Sequence, residues 1–150
     1  QTDKLVIDEI IKACFVMADS KTGALIVICQ KSDLKHYIQS GIMLDSLVND
    51  KAIENIFYKN SPLHDGAIII RDNRIIAARC VLPVTEKENF PVQLGMRHRP
   101  AVGISEITDA IAISVSEQTG SVSITMRGKI SANISKDEMR LFFEKNYFKV

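Results

Sequence analysis

An unbroken apolar run at residues 24–29, with the sequence ALIVIC, constrains the fold more than any other part of this chain. Gly23 stands immediately before it. A strand with no polar alternation is buried on both faces, as strands are in a sheet that helices cover on either side. We therefore expect an α/β protein, because helices on both sides of a sheet remove both faces of its central strands from water.

Other apolar runs predict the remaining strands of the sheet. Asp72-Asn73 separates two of them, at residues 68–70 and 75–82, and is typical of a tight hairpin between antiparallel strands. Gly120 and Gly128 join three short β-rich runs near the C-terminus, at residues 110–115, 121–126 and 129–133. These runs predict a single globular α/β domain with a mixed, partly antiparallel central sheet flanked by helices.

Helices are predicted where apolar residues recur at helical spacing or where polar caps precede them. Residues 1–20 contain an amphipathic N-terminal helix, over about 3–18, that leads into the rest of the domain, residues 21–150. Ser135 followed by Glu138 forms a capping box for a final helix that ends near residue 145. The other expected helices begin at Ser32-Asp33, at Asp50 and at about Arg97, and a polar loop is expected over residues 84–93.

Length and composition describe one ordinary globular domain. The 150 residues are 46% apolar and 25% charged, which is enough for a self-sufficient core. A net charge of +1 disfavours a general nucleic-acid binder, since such domains carry a basic excess. Cys14, Cys29 and Cys80 lie in apolar contexts without the spacing of metal ligands, and we interpret them as core residues in a reducing compartment.

Two short segments carry groups suited to phosphate chemistry. Asp65 precedes an apolar run within SPLHDGAIII, residues 61–70, where a carboxylate can hold a divalent metal or accept a proton. Arg97 and Arg99 flank His98 on the expected first turn of a helix. Free backbone N–H groups, the helix dipole and guanidinium donors all favour a bound phosphate there. An acid together with such a phosphate site indicates a nucleotide enzyme.

The two motifs Asp65-Gly66-Ala67 and Arg97-His98-Arg99 together resemble the signature motifs of the diadenylate cyclase domain. The resemblance extends over about residues 20–145, and the chain is similar in particular to the membrane-anchored CdaA-type branch of that family. Further similar segments lie at residues 21–28, 41–45, 60–70, 103–106 and 115–120.

The resemblance implies a nucleotidyltransferase that condenses two ATP molecules into the bacterial second messenger cyclic di-AMP and releases two pyrophosphates. It implies a divalent metal, Mn²⁺ or Mg²⁺ with Co²⁺ as a further option, and a homodimer, transient or stable, whose two protomers meet face to face. No run approaches the ~18 apolar residues of a membrane span. The chain begins at Gln1 without methionine, and members of that branch carry transmembrane helices ahead of this domain. We therefore expect a cytoplasmic domain of a plasma-membrane protein whose N-terminal anchor precedes Gln1.

The resemblance also assigns roles to matching residues. Asp65 is expected to draw the proton from the attacking hydroxyl or to hold the metal, which His98 is also expected to reach. Gly66 and Ala67 are expected to let the ligand approach the backbone closely. Residues expected to bind ATP or its phosphates are Gly95, Arg97, His98, Arg99 and Ser116. Leu25, Ile69 and Leu94 are expected near the adenine, Glu117 is a weaker candidate, and His36 and His64 are interpreted as structural or solvated.

Several of these residues have a second interpretation. Ser116 is equally consistent with a serine at the sheet edge that bonds water, and the adenine candidates are equally consistent with core packing. Three positions depart from the family pattern: Met96 replaces a threonine, Gln118 replaces an acid and Val81 replaces an aromatic residue. Met96 and Gln118 support an alternative function, a nucleotide sensor of the same fold with little activity. A nucleic-acid-binding domain is the other alternative, disfavoured by near-neutral charge and the absence of tryptophan.

Overall fold

A seven-stranded mixed sheet forms the centre of the computed structural model, which describes residues 1–87 and 95–148. The strand order is β2-β4-β3-β1-β5-β6-β7. The strands are β1 (Ala24–Ile28), β2 (Ile42–Leu47), β3 (Ala67–Arg71), β4 (Arg74–Cys80), β5 (Ile111–Val115), β6 (Val122–Met126) and β7 (Lys129–Ser131). The helices are α1 (Lys4–Ser20), α2 (Lys35–Gln39), α3 (Asp50–Phe57), α4 (His98–Ile107) and α5 (Lys136–Asn146).

Strand β1 is the central strand and is buried along its whole length. It pairs in parallel with β3 and antiparallel with β5, which makes the sheet mixed as predicted. Ile26 and Ile28 face a core formed with α1, α3 and α5, whereas Leu25 and Val27 face a second core formed with α2 and α4. The unbroken apolar run at 24–29 is explained by these two cores, since every side chain of the strand leaves water.

The local signals at two turns are confirmed. Asp72 and Asn73 both have positive φ, 49° and 69°, as a two-residue hairpin between β3 and β4 requires. The Ser135 side chain accepts a hydrogen bond from the backbone N–H of Glu138, whose carboxylate accepts one from the Ser135 N–H in return. This reciprocal pair is the predicted capping box of α5.

The predicted cap of α3 is wrong, and that of α2 is shifted by one residue. Helix α3 is capped by Asn49, whose side-chain oxygen accepts from the Ala52 N–H at 2.8 Å. Asp50 instead occupies the first helical position and forms an ion pair with Lys12. Helix α2 begins after Leu34, which has left-handed backbone geometry. The Asp33 carboxylate, one residue earlier, accepts the backbone N–H of Lys35 at the first helical position, at 3.0 Å.

Strand β2 was not predicted from the sequence. It lies at the edge of the sheet and leaves Ile42, Met43 and Leu47 exposed. Such a strand shows neither a fully apolar run nor a clean alternation, so the pattern that revealed β1 is absent. Part of the expected 84–93 loop, and Leu94, fall outside the described residues.

All three cysteines are buried free thiols, in agreement with their interpretation as core residues. Burial raises the pKa of Cys14 and of Cys29 to about 12 and that of Cys80 to about 11. Within residues 1–87 and 95–148, no helix combines the length and apolarity needed to cross a bilayer.

Candidate functional site

The strand register brings the two predicted motifs to one end of the sheet. Ile26 of β1 lies beside Ile68 of β3, and because the two strands are parallel, Gly23 and Asp65, which each precede one of these strands, lie at the same end of the sheet. On the other side of β1, Ala24 lies opposite Val115 of β5, which brings Ser116 level with Gly23. Neighbouring strands are about 4.8 Å apart. Residues from three separate parts of the chain therefore meet where β1 begins.

Arg97 lies over this strand end. Its guanidinium fills the space beside Gly23 so closely that a Cβ at that glycine would overlap the guanidinium carbon and nitrogens. The guanidinium also forms an ion pair with Glu117, at 3.7 Å between Nη1 and Oε1. Arg97 is the residue just before α4, so its side chain belongs to the start of that helix. The structure thus holds one cationic group of the second motif over the start of β1, between Gly23 and Glu117.

A small recess of about 10 Å³ opens beside Arg97, roughly the space of one bound water. The Ser116 hydroxyl oxygen accepts backbone N–H bonds from Gln118 and Thr119, both at 3.2 Å, which leaves the hydroxyl proton as a donor. Gly95 has φ of 88°, a conformation that favours glycine. The residues lining the recess are Gly95, Met96, Arg97, His98, Ser116, Glu117 and Gln118.

His98 is almost fully buried, with 1% of its surface exposed. Its Nε2 lies 3.1 Å from the hydroxyl oxygen of Ser123 on β6, and its Nδ1 has no hydrogen-bond partner in the part of the chain that the structure describes. Nδ1 points towards Gly95, where an added Cβ would lie 3.7 Å from it. Burial lowers the pKa of His98, which favours the neutral imidazole. His98 therefore forms the inner wall of the recess.

Arg99 is directed away from this recess. Its Nη1 donates to the carbonyl oxygens of Thr85 and Lys87, at 3.4 Å each. The Thr85 N–H in turn donates to the Arg99 carbonyl at 3.2 Å. These bonds tie the start of α4 to the segment that follows β4. The sequence placed both arginines in one phosphate site, whereas the structure brings Arg97 to the recess and joins Arg99 to residues 85–87.

Asp65 is the exposed acid of the site, with 74% of its side chain accessible. Its Oδ1 lies 3.3 Å from Nε2 of His64. The other ring nitrogen of His64, Nδ1, lies 2.7 Å from the carbonyl oxygen of Ser61 and donates to it. A carbonyl accepts but never donates, so Nδ1 carries a proton and Nε2 faces the Asp65 carboxylate. His64, interpreted as structural from the sequence, is thus the immediate neighbour of the predicted catalytic acid.

The small residues after Asp65 are required by packing against β4. Gly66 has φ of 79°, and a Cβ there would lie 2.6 Å from the carbonyl oxygen of Cys80. Ala67 is fully buried and pairs with Cys80 in the β3–β4 ladder. Their size is therefore explained within the protein itself, and close approach of a ligand is not needed to account for it.

Other expected residues divide between the core and the surface. Leu25 and Ile69 are buried in the core beneath α4, as their core-packing interpretation predicts. Val81 is 69% exposed and Met96 is 74% exposed. Among residues 1–87 and 95–148, no three His, Cys, Asp or Glu side chains gather closely enough to enclose a metal ion.

Sequence reasoning missed Gly23 and Ser123 as parts of the site. Gly23 was interpreted as a strand opener, and its close contact with Arg97 depends on where α4 begins. Ser123 is one of two buried serines in the β5–β6 pair, with Ser114, and no local pattern distinguishes it. Both contacts join residues that are far apart in sequence, and only the packing of α4 on the sheet reveals them.

Residues 11–130 match the family described as DisA bacterial checkpoint controller nucleotide-binding, abbreviated DAC. The chain belongs to the DAC family. It is 40% identical over 149 residues to the cyclic di-AMP synthase CdaA of Bacillus subtilis, a match that covers 99% of this chain and 55% of that protein. The chain spans about half the length of the curated relatives it matches.

Solved structures confirm the DAC fold. The crystal structure of a double mutant of DacA from Staphylococcus aureus superposes with a TM-score of 0.93 at 39% identity, covering 97% of each chain. A Bacillus cereus structure described as a hypothetical membrane spanning protein superposes with a TM-score of 0.82 at 36% identity, covering 86% of this chain and 63% of that one. The predicted α/β domain with a mixed central sheet is thus confirmed, as is the resemblance to diadenylate cyclases.

Proposed function

We propose that this chain is the catalytic domain of a diadenylate cyclase, which condenses two ATP molecules into cyclic di-AMP and two pyrophosphates. Membership of the DAC family and 40% identity to a cyclic di-AMP synthase support this function. One structural observation carries it to particular residues: Arg97 packs on Gly23, just before β1, and Asp65 lies just before β3, the strand that pairs with β1 in parallel, so both motifs lie at the same end of the sheet. An acid and a phosphate-binding cation are thereby available to one nucleotide.

The donors around the recess are suited to the triphosphate of ATP. The Arg97 guanidinium, the Ser116 hydroxyl and the free N–H groups at the start of α4 would bind its oxygens. Glu117, which pairs with Arg97, would exchange that contact for solvent when phosphate binds. Phosphoryl transfer depends mainly on positioning and on neutralising charge, and this donor set contributes to both.

Asp65 is the residue that would accept a proton. The 3′-hydroxyl of one ATP attacks the α-phosphorus of the other, its proton passes to a carboxylate oxygen of Asp65, and the bond to pyrophosphate breaks. Repeating this transfer in the opposite direction closes the ring. The high exposure of Asp65 suits the role, because the hydroxyl must arrive from a nucleotide outside this protomer.

A divalent metal fits the first motif when the nucleotide supplies most of its ligands. Asp65 Oδ1 and His64 Nε2 lie 3.3 Å apart, and Nδ1 of His64 is occupied by the Ser61 carbonyl, so Nε2 is the ring nitrogen on the side of the carboxylate. Mg²⁺ and similar ions commonly bind one or two protein groups together with substrate phosphates. Mn²⁺ or Mg²⁺, with Co²⁺ as a further option, would then neutralise phosphoryl charge. We propose His64 in place of His98 as the histidine ligand.

Two protomers are proposed to meet face to face at their sites. Cyclic di-AMP has two equivalent phosphodiester bonds, and a twofold contact lets each protomer present one ATP to the other. The homodimer need only be transient, because a membrane anchor would raise the local concentration. The B. cereus neighbour described as membrane spanning supports placing this domain on the cytoplasmic side of a plasma-membrane protein, where ATP is available.

Incubating the protein with ATP and Mn²⁺ or Mg²⁺, and separating the products by liquid chromatography with mass detection, tests the proposed activity. Cyclic di-AMP and pyrophosphate are the expected products. Tight ATP binding without any turnover in either metal would contradict catalysis and favour the nucleotide sensor. Binding of oligonucleotides in preference to ATP would favour the nucleic-acid-binding alternative.

A further inference from the structure

The inner wall of the recess contains a buried polar atom that no group of the described residues satisfies. His98 is 1% exposed, and within residues 1–87 and 95–148 its buried Nδ1 has no hydrogen-bond partner. Leaving such an atom unpaired is unfavourable, because it loses its hydrogen bonds to water and gains none in return. Nδ1 faces Gly95, whose missing side chain leaves the recess open at that point. The arrangement therefore points to a ligand atom that completes the bonding of Nδ1.

Ser123 determines whether that ligand atom must be a hydrogen-bond acceptor or donor, because its hydrogen bond fixes which ring nitrogen of His98 carries the proton. Its hydroxyl oxygen accepts the backbone N–H of Asn133 at 3.3 Å and lies 3.1 Å from Nε2 of His98. Ser123 is itself fully buried, so its own proton also needs an acceptor. Among the contacts of the described residues, Nε2 is the acceptor within reach of that proton.

The alternative tautomer of His98, with the proton on Nε2, leaves more buried polar atoms without a hydrogen-bond partner. If Nε2 carried the proton and donated it to Ser123, the buried hydroxyl proton would lose its acceptor and the Nδ1 lone pair would face the recess. With the proton on Nδ1, Ser123 donates to Nε2 and accepts from Asn133, and both of its bonds are complete. One N–H group then remains, directed at the recess.

We propose that Ser123 is a positioning residue that fixes His98 as the neutral imidazole protonated at Nδ1, whose N–H donates to a phosphate oxygen in the recess. Identifying the phosphate as that of ATP rests on the proposed function. The recess of about 10 Å³ accepts a single oxygen-sized atom. The neighbouring Ser116 hydroxyl supplies a second donor, and Glu117, the acid that lines the recess, is paired with Arg97.

In this tautomer His98 cannot act as a metal ligand. A metal ligand needs a free lone pair, and here the Nε2 lone pair is bonded to Ser123 while Nδ1 carries a proton. A neutral donor also suits a buried position, because it binds an anion without first placing a charge away from water. His98 thus acts on phosphate, whereas Asp65 and His64 remain available to the metal.

Nitrogen-15 NMR of the histidine rings tests the tautomer in the unmodified protein, without nucleotide. His98→Gln identifies the His98 signals among the three histidines of the chain. We expect Nδ1 to resonate as a protonated nitrogen and Nε2 as an unprotonated one. A spectrum with the proton on Nε2 would overturn the proposal. In Ser123→Ala the fixed tautomer should give way to a mixture.

Calorimetric titration with ATP in EDTA tests the consequence for binding. Ser123→Ala should weaken ATP binding about threefold to tenfold, the value of one hydrogen bond. Ser114→Ala is the matched control, because Ser114 is equally buried, pairs directly with Ser123 across β5 and β6, and has no hydrogen-bond partner. It should leave both the tautomer and ATP affinity unchanged.

Two results would contradict the proposal. Equal ATP affinity of Ser123→Ala and Ser114→Ala in EDTA would show that Ser123 does not position His98 for binding. If Ser123→Ala weakened ATP binding only when metal is present, His98 would act as a metal ligand and the proposal would be wrong. A protein that binds ATP and shows the Nδ1–H tautomer, yet makes no cyclic di-AMP, would refute the proposed activity and leave this inference intact. Ser123→Cys, similar in volume, replaces Ser123→Ala if the latter does not fold.

Discussion

The guanidinium of Arg97 lies against the backbone of Gly23, in the space that a side chain at position 23 would occupy. The contact joins the start of α4 to the start of β1, and the parallel pairing of β1 with β3 puts Asp65, which precedes β3, at the same end of the sheet. The absence of a side chain at position 23 therefore lets the cationic group lie directly over the start of β1.

Gly23→Ala should weaken ATP binding by at least about fivefold, because the new methyl group displaces Arg97 from its place and charge-assisted bonds to phosphate are lost. The fold should be unaffected, since Gly23 lacks the left-handed φ that penalises other side chains and the obstructing group is a movable arginine. Calorimetry measures the affinity, and thermal unfolding checks the fold. Because Gly23→Ala acts by displacing Arg97, it should lower ATP affinity little further in a protein that already carries Arg97→Ala.

Asp65→Asn should abolish cyclic di-AMP formation while ATP binding is largely retained, because the amide neither accepts the proton nor attracts a metal. The side chain is 74% exposed, so the fold should tolerate the change. Asp137→Asn, which alters an exposed acid on α5, is the control and should keep full activity. Product formed by Asp65→Asn near the wild-type rate would show that another group takes the proton.

Met96→Thr should raise activity modestly. Met96 is 74% exposed at the lip of the recess, where a threonine hydroxyl would add a donor for phosphate. Initial rates at saturating ATP measure the effect, with Met96→Val as the control that matches the shape of threonine without its hydroxyl. Equal rates for the two variants would show that the hydroxyl contributes nothing.

Burial of neutral His98 should make stability fall in mild acid. Its pKa is lowered by burial, so between that pKa and the ordinary histidine value of about 6.5 the unfolded chain binds more protons than the folded one. The contribution of neutral, buried His98 to the free energy of unfolding is fully present above about pH 6.5 and is lost as pH falls through the pKa of His98 in the folded protein. Urea unfolding at about pH 7.5 and about pH 5.5 should show a larger loss for wild type than for His98→Gln. Equal losses would contradict a depressed pKa at His98.

Specific activity should rise with protein concentration if two protomers must meet at their sites. Each closed pair completes both transfers, so dilution removes the active species before it removes the fold. Activity and sedimentation velocity, measured over the same concentration range with ATP and metal, test this together. Constant specific activity at low nanomolar concentration, from a species that stays monomeric, would exclude the face-to-face arrangement.

Several features were predicted from short stretches of sequence because the forces that fix them are local. The unbroken apolarity of residues 24–29 placed β1 at the centre of the sheet, and Asp72-Asn73 marked the β3–β4 hairpin. Ser135 and Glu138 marked the start of α5 through a reciprocal pair of bonds. Edge strand β2 escaped prediction because its half-exposed residues carry no regular pattern.

The sequence by itself determined the α/β class, the family and the two motifs, since apolar runs, turn residues and motif residues act within a few positions of one another. The tertiary structure decided what each motif residue does. It brought Arg97 to Gly23, tied Arg99 to residues 85–87 and paired His98 with Ser123. These outcomes depend on the angle at which α4 packs on the sheet and on the register of strands that are distant in sequence, and no local propensity encodes either.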